Sequence, residues 1–64
     1  MTNTQKERLM KYTEVYGSTG VVSLLDENHN DKGDILVKIE TNNRIEIFTV
    51  SKRGKQDVIS HRAK

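Results

Sequence analysis

The 64 residues read as one α+β domain, an N-terminal helix packed on a strongly bent, barrel-like four-stranded antiparallel β-meander. Three observations carry this. Residues 5–16 place apolar side chains at helical spacing behind a capping signal. Every segment after Gly20 is rich in β-branched residues and bounded by turn chemistry. Successive hairpins can also be aligned so that both agree on which side chains share a face.

Thr4 followed by Glu7 has the form of a capping box, in which hydroxyl and carboxylate each satisfy a backbone amide left without a partner by the first turn. From Gln5 to Tyr16, the side chains of Leu9, Tyr12 and Tyr16, with Met10 and Val15 at the margins, form an apolar stripe. Gly17-Ser18-Thr19-Gly20 ends the helix, with glycine expected in the left-handed conformation. Strands are expected at Val21 to Leu25, Ile35 to Glu40, Arg44 to Ser51 and Lys55 to His61.

A three-residue loop Thr41-Asn42-Asn43 sets Glu40 opposite Arg44, Ile39 opposite Ile45, Lys38 opposite Glu46, Val37 opposite Ile47 and Leu36 opposite Phe48. Charge then meets opposite charge and apolar meets apolar, with Asn43 in the left-handed bulge position. A two-residue loop would set Ile39 against Glu46 and is disfavoured on that ground. At Lys52-Arg53-Gly54, with Gly54 left-handed, Phe48 faces Val58 and Ile47 faces Ile59. Extended backwards, Leu25 faces Ile35 and Val21 faces Ile39 across the loop 26–34. The helix is thus expected over Val21, Leu25, Ile35, Val37, Ile39, Ile45, Ile47 and Ile59. On the opposite face, Val22, Leu24, Leu36, Phe48 and Val58 form an apolar cluster to be closed by bending into a barrel, covered by another subunit, or used as a partner interface.

Composition narrows the functional classes. A chain of this length buries only about 60% of its unfolded surface, and with no cysteine it has no disulfide to compensate. Self-association into a homo-oligomer is expected. The apolar runs are too short to cross a membrane and the polar start is not a secretory leader, so the expected location is the cytoplasm. The net charge is only +2, but it is unevenly spread. Asp26, Glu27, Asp31 and Asp34 face only Lys32 in one loop, whereas Lys52, Arg53, Lys55, Arg62 and Lys64 face only Asp57 in the last segment. A basic end of this kind suits phosphate.

The run from Asp26 to Asp34 has alternating oxygen donors, yet the sixth position of a calcium loop falls on Asp31 instead of glycine and the twelfth on Val37 instead of glutamate. It reads as a polar hairpin loop. His29 and His61 without any cysteine do not make a zinc set, so neither metal nor other cofactor is expected. No glycine-rich phosphate loop or nucleophile elbow is present, and the expectation is a protein that binds and does not catalyse. Phe48 is the one aromatic in the strands, and the two tyrosines suit the edge of the core with their hydroxyls toward solvent.

Helix first and bent meander after is the order of an Sm-like domain, and the chain resembles the bacterial Hfq branch of that family. The resemblance rests on Asn3, Gln5 and Leu9 in the helix, on Leu24-Leu25-Asp26 closing the first strand, on Gly33 opening the second, and on Gly54-Lys55-Gln56-Asp57-Val58-Ile59. Ser60-His61-Arg62-Ala63 stands where the family has an aromatic residue followed by Lys-His-Ala, and the family's fifth strand has no counterpart. Shorter fragments resemble CsrA-type RNA regulators (Asp57 to Arg62) and AbrB-type DNA-binding hairpins (Ser18 to Val22 and Asn42 to Ile47). The resemblance implies an oligomeric RNA-binding regulator with Gln5, His61 and Arg62 lining a uridine-binding face, and the position of the basic residues on one turn and one chain end puts Lys52, Arg53, Lys55, His61 and Arg62 on phosphates. The alternative is a protein-interaction module, such as a phage or mobile-element accessory protein, working through Leu24, Leu36, Phe48 and Val58.

Overall fold

A computed structural model describes residues 1–64. One helix, α1 (Asn3–Tyr16), is followed by four strands, β1 (Gly20–Asp26), β2 (Ile35–Thr41), β3 (Arg44–Val50) and β4 (Gln56–Ala63). Each strand pairs antiparallel with the next, in the order β1-β2-β3-β4. The α+β meander is as expected; the barrel is not. β1 and β4 do not pair, so the sheet stays open with two free edges. No helix is long and apolar enough to cross a membrane.

The helix starts two residues earlier than the Thr4–Glu7 signal indicates. Its N-cap is Thr2, whose hydroxyl accepts from the Gln5 N–H (3.2 Å) while Gln5 Oε1 accepts from the Thr2 N–H (2.8 Å). Thr2-x-x-Gln5 satisfies the same capping rule, and two further bonds favour it. With this start Gln5 Nε2 donates to the carbonyls of Gly33 (2.9 Å) and Val50 (3.1 Å). At the other end, Gly17 remains right-handed (φ −63°), its N–H bonded to the Thr13 carbonyl, in place of the left-handed glycine expected there.

The register of β2 on β3 is shifted by one residue from the expected one. Thr41 to Arg44 form a two-residue turn, Ile39 sits opposite Glu46, Val37 opposite Phe48 and Ile35 opposite Val50. Asn43 is not left-handed. Magnitudes explain the outcome. The charge-matched register offered exposed ion pairs worth about 0.2–1 kcal/mol each, whereas the observed one turns Phe48 and Val50 inward, at about 1.5–3 kcal/mol per fully buried apolar side chain. Both are completely buried. Of the displaced charges, Lys38 and Glu40 pair along the strand, with Lys38 Nζ 3.3 Å from Glu40 Oε1, and Arg44 is left without an acidic partner.

β1 is shifted in the same sense, with Val22 opposite Ile39 and Leu24 opposite Val37, then a bulge before Asp26. The covered face is therefore Val22, Leu24, Ile35, Val37, Ile39, Phe48 and Val50, with Leu9, Tyr12 and Tyr16 of the helix packed on it. The Tyr12 and Phe48 rings meet edge to face at 5.3 Å. Val21, Ile45 and Ile47, expected beneath the helix, belong to the outer face, and Val22, Leu24 and Phe48, expected on the opposite face, lie on the covered one. Phe48 opposite Val58 is as expected, but Ile47 meets Ser60 and not Ile59, because Ile59 is an extra residue in β4. The expected turn at Lys52-Arg53-Gly54 forms, with Gly54 at φ +90° and the Ser51 N–H bonded to the Lys55 carbonyl (2.9 Å).

The helix lies across β1 and β2. β4 is left uncovered, and all eight of its residues are exposed.

Candidate nucleic-acid interface

Lys52, Arg53 and Lys55 are exposed on the β3–β4 turn, and none of them has a carboxylate within ion-pair distance. The turn is fixed from three sides. The Thr2 hydroxyl donates to the Lys52 carbonyl (3.1 Å), the Gly54 N–H donates to the Ser51 carbonyl (2.9 Å), and the Lys55 N–H donates to the Ser51 hydroxyl (3.0 Å). Sequence reasoning missed a fourth cation here. Arg8 lies against Gly54, where a Cβ would meet its Nε at 2.8 Å, so the guanidinium borders the turn. Its position three residues beyond Gln5, on the flank of the apolar stripe, was the available signal.

The acidic loop folds toward this end. A polar cleft of about 430 Å³ is lined by Glu27, Asn28, Asn30, Asp31 and Gly33 from the loop, by Thr2 and Gln5, and by Lys52. The Lys52 stem crosses Gly33, which is left-handed at φ +79°. Much of the loop's oxygen chemistry is spent on its own turns: Asn30 Oδ1 accepts from the Lys32 and Asp34 amides (3.0 and 3.3 Å), and Asp26 Oδ1 from the Asn28 amide (2.9 Å). Side chains that hold a loop in this way are Asx turns in function.

Gln5 does not line a binding face. It is fully buried, and its amide is committed to Thr2, Gly33 and Val50. Nor are His61 and Arg62 beside it or beside the cationic turn. β4 runs away from the turn, which puts them about 20 Å from Lys55 along an extended strand, next to Arg44 and Lys64 at the β2–β3 end. A second cleft of about 480 Å³ opens there, lined by Asn43, Arg44, His61, Ala63 and Lys64. Glu40 lies beside it, 2.7 Å from Lys64 Nζ, and the Lys64 and Lys38 ammonium groups hold its carboxyl below the ordinary value. His61 stands 4.0 Å from Glu46. Arg44 and Arg62 have no acidic partner.

The four residues of the expected partner interface do not form one surface. Phe48 is buried under Tyr12, Leu24 packs against the core, Leu36 points to the outer face opposite Thr49, and only Val58 is broadly exposed. The one-residue register shift separates them. Burial also raises the Tyr12 hydroxyl's pKa, an effect that nearby Arg8 opposes.

Comparison of the chain with known protein families, curated proteins and solved structures finds no match.

Proposed function

We propose that this chain is a small nucleic-acid-binding protein, with single-stranded RNA as its first-choice ligand, that contacts phosphates through cations ranged along the β4 side of the sheet. The observation that supports this best is that Lys52, Arg53, Lys55 and Arg62 are exposed and free of carboxylate partners. Unpaired cations on a rigid turn contribute to phosphate binding without first breaking an ion pair or ordering a loop. With Arg8 at the turn and Arg44 at the far end, they mark two cationic ends of the β3–β4 hairpin. The likeness to the Hfq branch supports RNA over DNA through His61 and Arg62, and not through Gln5.

The test is fluorescence anisotropy with a labelled, unstructured single-stranded RNA at about 50 mM salt, where phosphate contacts are strong. Wild type is expected to bind, and the combined Lys52→Ala, Arg53→Ala, Lys55→Ala variant to bind more weakly with its fold intact. Absence of wild-type binding to RNA and to duplex DNA rejects the reading.

A further inference from the structure

The free edge of β4 is self-complementary. The Ser51 N–H bonds to the Lys55 carbonyl and the Lys64 N–H to the Asn43 carbonyl, which fixes the alternation between these points. Asp57 and Arg62 direct their backbone groups toward β3, while Gln56, Val58, His61 and Ala63 direct theirs away from the sheet. An edge of this kind offers its N–H and C=O groups to another strand. β1, the other edge, is flanked by the helix and has no comparable charge pattern, its one ionisable residue being Asp26.

The bulge decides which side chains share a face. Asp57 and Arg62 are five residues apart, which in a regular strand puts them on opposite faces. Because Ile59 is extra, Asp57 (opposite Thr49) and Arg62 (opposite Ile45) both lie on the outer face, and Val58 (opposite Phe48) and His61 (opposite Glu46) both lie on the helix side. The strand is therefore symmetric about Ile59-Ser60 in both face and spacing.

We infer that two copies of this chain associate through antiparallel β4–β4 pairing about a two-fold axis at Ile59-Ser60. Asp57 of each copy then lies opposite Arg62 of the other on one face, and Val58 lies opposite His61 of the other on the helix side. The outward backbone groups of Gln56, Val58, His61 and Ala63 find partners, and the bulge falls in a slot that requires no hydrogen bond across the interface. Val58 and Ile59, 57% and 56% exposed in the single chain, are covered at its centre. The result is one continuous eight-stranded sheet. The interface stands on the strand itself and not on the nucleic-acid reading. If both hold, the antiparallel arrangement also brings the Lys52–Lys55 turn of each copy beside the Arg62–Lys64 end of the other, uniting the two cationic ends that a single chain keeps apart.

The experiment needs no nucleic acid. Light scattering of wild type over a range of concentrations is expected to reach twice the 7.4 kDa chain mass. Because the chain lacks cysteine, Asp57→Cys and Arg62→Cys proteins can be mixed and mildly oxidised. Cross-linking is expected in the mixture and not in either variant alone, where like cysteines would be about 13 Å apart, beyond disulfide reach. Asp57→Arg is expected to weaken association by about tenfold, and adding Arg62→Asp to restore it. A monomeric wild type at about 1 mM, or a dimer whose mixed cysteine variants cross-link no faster than either alone, overturns the inference.

Discussion

Gln5 shows how a single side chain can join three elements. Its fully buried amide caps the helix, holds Gly33 at the end of the acidic loop and closes on Val50 at the end of β3. Each buried backbone group left unpaired costs about 1–3 kcal/mol, so Gln5→Leu is expected to destabilise the fold by about 2–4 kcal/mol, read from the urea midpoint. A base-contacting Gln5 would instead lose RNA affinity with stability unchanged. Phe48 is the largest fully buried side chain, and truncating a packed Phe costs about 3–5 kcal/mol. A domain of this size has a total stability of only about 3–10 kcal/mol, so Phe48→Ala is expected to be largely unfolded by circular dichroism. A well-folded Phe48→Ala protein would place the ring outside the core. The sequence carried both residues in plain view, but Gln5 matches a polar surface pattern as well as a capping one, and its two carbonyl partners come from residues 28 and 45 positions away.

At the scale of elements, the helix and all four strands were legible because the apolar stripe, the β-branched runs and the turn residues agree on where each lies, although both helix caps form differently from the expected ones. Register was legible only where a turn dictates it. Gly54 fixed the β3–β4 hairpin through its left-handed backbone, and Phe48 opposite Val58 followed. Asn42-Asn43 imposes no such constraint, and local charge matching pointed one residue away from the pairing that core burial selects. The bulge at Ile59 has no sequence signature, since the extra residue is neither Gly nor Asn. Gly54 then offers a direct check. A side chain at φ +90° is strained, and here it would also meet Arg8 and Thr4, so Gly54→Ala is expected to cost about 1–2 kcal/mol in thermal or urea unfolding. An unchanged midpoint would mean that the turn does not require a left-handed residue.

For the whole molecule, the open sheet and the single helix leave charge, not a deep cavity, as the main surface feature. The acidic loop and the cationic turn share one end, while Glu40 organises two lysines at the other. Since Lys64 and then Lys38 depress the Glu40 carboxyl, its contribution to stability is present above its unfolded pKa and is lost as pH falls through the lower folded value, below 4.5. Lys64→Ala is expected to raise the Glu40 midpoint in an NMR titration; an unmoved midpoint would show that the 2.7 Å pair does not persist in solution. The exposed cations without partners bear on function most directly through the salt dependence of RNA affinity. Each phosphate contact on a single strand contributes about 0.7 to the slope of log K against log salt. The slope of the Lys52→Ala, Arg53→Ala, Lys55→Ala variant is therefore expected to be shallower than wild type by about 2. Equal slopes for the two proteins would contradict the placement of these three side chains on phosphate.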